Sequence, residues 1–173
     1  IKESLLGAMG WPAAVGILIR HLEKSESPVD FAKMLATQAE PLRALALTII
    51  DGTDCKIKKV VTQLSVVHEF NQEAAQVILG EEYDFNLINE IALEGNFFAQ
   101  TSDPEQTYSF TRLMREIFLL ELNKEPGTKR EIHIRLCEYY EHHNQPNLAL
   151  EHAFLAGDSE KISTLFPNAA RIL

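Results

Sequence analysis

The sequence predicts a mainly α-helical chain: a winged helix with a small β-hairpin wing, followed by TPR-like helical hairpins. Three observations carry this expectation. Apolar residues recur at helical spacing through most of the 173 residues. That spacing gives way once to two short runs of β-like alternation, Asn96–Gln100 and Gln106–Phe110. After Pro126-Gly127 the helical spacing returns in short segments separated by turn residues.

In chain order, Leu5, Leu6, Met9, Val15, Ile17, Leu18 and Leu22 predict helix, interrupted at Gly10-Trp11-Pro12, where Pro12 suits a first helical turn. Glu23–Pro28 reads as a linker. A core stripe then runs from Phe31 to Ile49, with a break expected near Glu40-Pro41 and a stop at Asp51-Gly52. Ile57, Val60, Val61, Leu64 and Val67 predict a helix over about Lys56–Val67. Asn71 is placed to cap the next helix, which Gly80 ends, and Asp84 to cap the one after it.

Helix, helix, helix and then a hairpin turned at Thr101–Glu105 is the order of a winged helix. A long helix from Leu113 through Leu122 is expected to end at Pro126-Gly127, and Thr128 to cap the next one. Asn144–Asn147 and Gly157-Asp158 read as turns between short helices. The small residues Ala149 and Ala153 would let two of those helices approach closely, as at the start of a helical-repeat array.

Composition narrows the function classes. Net charge is −9, and no Lys or Arg occurs between Val60 and Thr111, a stretch holding nine acids. The remaining 16 acids and 16 bases cancel, so the net charge belongs to this block. Such a surface repels phosphate backbones, so no direct nucleic-acid contact is expected. The helix over about Asp84–Glu94, in the place of a recognition helix, carries three acids and no base. No run of 18 apolar residues is present, so no membrane span is expected. Two distant cysteines without a CxxC fit a reduced, cytoplasmic setting. Both ends lie inside apolar helical patterns, from which a fragment of a larger protein is expected.

Sharper chemistry finds little support. His133, Cys137, Glu141, His142, His143 and His152 are close in sequence, but their spacing does not converge on a tetrahedral zinc site. They read better as surface and half-buried histidines of repeat helices, with no metal. Glu81-Glu82 and Glu138/Glu141 read as solvated helix charges rather than catalytic pairs. Tyr139, Tyr140 and Phe154 read as packing between repeat helices. No G-x-x-x-x-G-K-[ST] loop and no acidic Walker-B strand occurs, so the chain is not expected to act as an enzyme or to hold a cofactor itself.

Three elements, in order, carry a resemblance. Gly10-Trp11-Pro12-Ala13-Ala14 resembles a "GWpaal" element, and Phe110–Glu116 a "yHhLFre" element. Ile132–Glu141 with Asn147–Asp158 resembles "LHrrAaewye…eeAiehAlaaGD". Together they are similar to MalT-like, LuxR-type ATP-dependent transcriptional regulators of the STAND class.

The resemblance implies three regions. Residues 1–25 would end the helical lid of a nucleotide module, residues 26–126 form a winged-helix domain, and residues 127–173 begin a helical-repeat region. It implies a regulatory segment that relays nucleotide and inducer state between an ATPase core and sensor repeats, its own protein's domains being its partners. ATP or ADP would bind in the parent protein, with self-association on activation. Thr111, Arg112 and Arg115 become nucleotide-contacting candidates, and Trp11 and His133 interdomain packing candidates. Thr111 stands where the family carries His and offers a hydroxyl without imidazole charge. The other reading is a helical-repeat scaffold for a protein partner, without nucleotide dependence.

Overall fold

The computed structural model describes Leu47, residues 50–94, 97–101 and 106–169, the last three by backbone alone. Trp11, the Glu23–Pro28 linker, the Glu40-Pro41 break and most of the Thr101–Glu105 turn lie outside the described residues.

The first complete helix, α1 (Cys55–Leu64), begins at Asp54, whose carboxylate accepts from the Lys56 N–H at 2.8 Å. It stops three residues short of the expected Val67, where the Ser65 hydroxyl donates to the Thr62 carbonyl at 2.7 Å and the chain turns. Beyond that turn lies a strand too short for any periodicity to reveal, β1 (Glu69–Phe70). Asn71 then caps α2 (Gln72–Leu79), its side chain accepting from the Ala74 N–H at 2.9 Å. A single 3-10 turn at Gly80–Glu82 leads to α3 (Phe85–Glu94), at whose start Asp84 accepts from the Leu87 N–H at 3.2 Å.

The expected hairpin is present as β2 (Phe98–Gln100) and β3 (Tyr108–Phe110), with Phe98 opposite Phe110 and Gln100 opposite Tyr108. The sheet nevertheless has three strands, in the order β1-β3-β2, because Phe70 pairs with Tyr108 on the other side of β3. Pairing β1 into the sheet puts the Phe70 ring within 5.1 Å of Phe98 and 5.3 Å of Tyr108. Stacked and edge-on aromatic contacts of this kind anchor a small sheet whose few ladder bonds would not hold it alone. The Tyr108 hydroxyl donates to the Asn89 side chain at 2.6 Å, fastening α3 to the sheet.

Two expectations at the next junction are corrected. Helix α4 (Arg112–Leu122) ends before Pro126-Gly127, and Pro126 is the first residue of α5 (Pro126–His142), not a terminator. Proline has no N–H to lose at a first turn, where the backbone donors have no helical partner in any case. Thr128 therefore lies inside α5 and does not cap it. Helices α6 (Pro146–Ala156) and α7 (Ser159–Ala169) follow, with Gly157 at φ 66° ending α6 and Asp158 accepting from the Lys161 N–H at 3.0 Å.

Helix α5 is shared between two cores. Its Ile132 and Leu136 are fully buried in the cluster that contains Phe70, Phe98 and Phe118. One position on, Cys137 packs with Ala149 and Ala153 of α6 and Leu165 of α7. Residues four apart lie on one helical face, so the pairs Ile132/Leu136 and His133/Cys137 form two adjacent stripes with two neighbours. Ala149 and Ala153 are completely buried, as their small size suggested. Phe154, by contrast, is 56% exposed and takes no part in the packing expected of it.

Candidate functional site

The turn after α1, the middle of α4 and the α5–α6 pair flank an open cleft of about 400 Å³. Volumes of this order suit small-molecule sites. Its apolar walls come from Val66, Val67, Leu119, Leu148, Leu155 and the Tyr140 ring. Its polar groups are Arg115 and Lys129, the carboxylates of Glu69 and Glu151, and three histidines, 68, 133 and 152.

His133 and His152 meet on the α5–α6 side. Their Nδ1 atoms are 2.9 Å apart, so one ring donates and the other accepts. His133 is 2% exposed and His152 7%, where the sequence suggested surface and half-buried positions. Their helices require this placement: His133 shares a stripe with Cys137, and His152 lies between the buried Ala149 and Ala153. Tyr140 stacks on His152 with the ring planes 10° apart and the centroids at 5.3 Å. Burial, then the nearby His152 and Lys129, pushes His133 down to about 4. Burial also lowers His152, against the opposing pull of Glu151. Burial therefore favours the neutral form of both rings, and two neutral imidazoles can make this bond, one donating through Nδ1–H and the other accepting. The Nε2 of His133 is buried and has no hydrogen-bond partner.

Arg115 crosses from α4 to the turn after α1. Its Nε donates to the Val67 carbonyl at 3.0 Å and its Nη2 to the Val66 carbonyl at 3.2 Å. These carbonyls lie just past the end of α1 and have no helical partner, so the guanidinium does the work of a cap. The sequence offered Arg115 and His133 for different roles, and the structure brings them to one cleft.

Thr111 and Arg112 are placed otherwise. Thr111 is half-buried at the start of α4, where its N–H and its hydroxyl both donate to the Phe97 carbonyl, at 3.0 and 3.3 Å. Arg112 is exposed and pairs with Glu116 one turn on, at 2.9 Å. Neither lines the cleft. Sequence reasoning missed Lys129 and Glu151 as cleft residues, and read Tyr140, which stacks on His152, as packing between helices. The available signal was their spacing on α5 and α6 relative to the buried stripe, and it needed the partner turn after α1 to become a cavity.

Among the described residues no group of three or more His, Cys, Asp or Glu side chains could hold a metal ion. No helix of the described residues is long and apolar enough to cross a membrane. Residues 46–130 match the family model of the MalT winged helix domain. The match spans α1 through α4, the three-stranded sheet and the first turn of α5, and identifies this part of the chain as a MalT-like winged-helix region.

Proposed function

We propose that this chain is the transmitting segment of a MalT-like signal-transduction ATPase and transcriptional regulator. In this reading it relays nucleotide and inducer state between an ATPase core and sensor repeats. The observation that carries the reading is the sharing of α5. The helix that leads out of the matched region buries Ile132 and Leu136 in the winged-helix core and His133 and Cys137 against the next hairpin. A displacement of the winged helix is therefore passed to the hairpins through one rigid helix of 17 residues, not through a loop.

The chain itself performs no catalysis in this reading, and ATP or ADP belongs to the parent protein, as the resemblance implies. Arg112 is the favoured group to face a bound nucleotide, because its exposed guanidinium is held only by a surface pair that a phosphate can displace. Arg115 already spends two of its donors on backbone carbonyls, and the Thr111 hydroxyl is turned to Phe97. DNA contact by this segment is not part of the proposal. Helix α3 exposes Glu90 and Glu94 and has no basic residue.

Calorimetry of ADP and ATP with the full-length gene product and with this chain tests the reading. Tight binding by the parent, abolished or weakened by Arg112→Ala, supports it. A parent that binds neither nucleotide removes the ATPase relay and leaves a helical-repeat scaffold for a protein partner as the account.

A further inference from the structure

The cleft between the winged helix and the α5–α6 hairpin has a charge arrangement that the relay role does not use. Its two cations and two carboxylates balance. They are also distributed: Lys129 lies one turn before His133 on α5, and Glu151 is the neighbour of His152 on α6. The touching imidazoles thus have a positive group beside one ring and a negative group beside the other. Arg115 adds its charge from α4 and Glu69 a second carboxylate from β1, on the wall opposite the hairpin. Between the charged groups the lining is aliphatic, from Val67, Leu119, Leu148 and Leu155.

A simple anion gains from Lys129 and Arg115 but is opposed by Glu69 and Glu151, and a simple cation meets the reverse. A molecule with both charges a few bonds apart meets both pairs favourably. We propose that this cleft binds a small zwitterion with an apolar side chain, of which an aliphatic or aromatic α-amino acid is the simplest form. The carboxylate lies toward Lys129, whose Nζ holds Asn123 Oδ1 at 2.8 Å and keeps two further N–H donors. Arg115 contributes its positive charge only, its Nε and Nη2 staying on the Val67 and Val66 carbonyls. The ammonium lies toward Glu151 with Glu69 opposite, and the side chain against the leucines and valines.

A further observation concerns the histidine pair. Three buried polar side-chain atoms among the described residues lack a partner, and only His133 Nε2 belongs to a residue of this cleft. When His152 donates through Nδ1, the His133 tautomer carries its proton on Nε2, which is then a buried donor without a partner. Because the walls come from both the winged helix and the hairpin, a bound molecule would bridge the two bodies that α5 joins.

The test is calorimetry and amide chemical-shift titration of the full chain with leucine, with 4-methylpentanoate (no ammonium) and with isoamylamine (no carboxylate). Leucine is expected to bind with a dissociation constant on the order of 1 mM, as suits so small a ligand. Shifts should centre on α5 and α6 amides near His133 and His152. Each single-charge analogue should bind about tenfold more weakly or worse, and Lys129→Gln and Glu151→Gln should each weaken leucine by a similar factor. Phenylalanine in place of leucine tests the size of the apolar wall. Absence of binding by both amino acids overturns the proposal, as does equal binding of either analogue or indifference to both substitutions. Should a substitution cost the fold, the analogue comparison on the unaltered chain decides alone. No nucleotide module takes part, so the result is independent of whether the ATPase reading holds.

Discussion

The Arg135 guanidinium donates through Nη2 to the carbonyl of Ile78, 57 residues earlier in the chain, at 2.7 Å. Ile78 lies in the last turn of α2, where carbonyls have no helical donor, so a side chain of α5 completes a helix of the winged-helix body. The contact lies beside a glycine, the next residue but one: a Cβ at Gly80 would lie 2.9 Å from Arg135 Nη1, so the guanidinium would have to shift. Gly80 also sits at φ 57°, ψ −121°, a region other residues avoid.

Gly80→Ala is therefore expected to destabilise the chain by about 1–3 kcal/mol, through backbone strain and a displaced Arg135. Gly157→Ala is the control. Gly157 has φ 66° in the ordinary left-handed region, and a Cβ there would meet nothing within 4 Å, so only about 1 kcal/mol of strain applies. Urea denaturation of both variants checks the order. Equal midpoints would show that the Arg135 contact contributes nothing.

Arg112 and Arg115, three residues apart on α4, should separate cleanly. Arg115→Ala removes two hydrogen bonds to the Val66 and Val67 carbonyls and is expected to cost about 1–3 kcal/mol. Arg112→Ala breaks one exposed ion pair and should change stability by less than about 0.5 kcal/mol. Thermal and urea unfolding of this chain measure both. A stability loss for Arg112→Ala equal to that for Arg115→Ala would contradict the structural assignment.

Helix positions were legible in the sequence because burial and capping are local signals. Asn71 and Asp84 cap the helices that follow them, as their positions predict, and Met114, Ile117, Phe118 and Leu122 face the core. What was not legible depends on partners distant in sequence. Glu69-Phe70 becomes a strand only because β3 lies beside it, and Pro126 reads equally well as a stop or a start until the length of α4 is known. The cleft is illegible for the same reason: its walls come from the turn after α1, from β1, α4 and the hairpin, and no one segment contains it.

The Asn71 cap offers a third test. Asn71→Ala leaves the Ala74 N–H without its side-chain acceptor at the start of α2 and should cost about 1 kcal/mol. Asn71→Asp keeps an acceptor there and should retain most of the stability, with some gain from a negative charge at the helix start. Urea midpoints of the two variants give the comparison. If Asp is no better than Ala, capping is not what Asn71 contributes.

The His133–His152 pair gives a pH dependence whose sign follows from its burial. In the folded chain His133 takes up its proton only near pH 4, against 6.5 for the free side chain. Between those values the unfolded chain binds more protons, so stability falls as the pH drops through the window and does not change above it on this account. His152 is lowered too and acts in the same direction. At roughly 1.4 kcal/mol per pH unit, His133 alone sets an upper limit of about 3 kcal/mol, reached only below its folded value. The lowered carboxylates of Glu82 and Asp84 titrate from 4.5 and 3.8 downward, so a loss between about pH 6.5 and 5 belongs to histidine. Urea midpoints at about pH 7.5 and 5 should therefore separate for the unaltered chain and draw together in His133→Gln, whose amide keeps a hydrogen bond to His152 but does not titrate. A His133→Gln chain as acid-sensitive as its parent across that window would show that His133 is not the source.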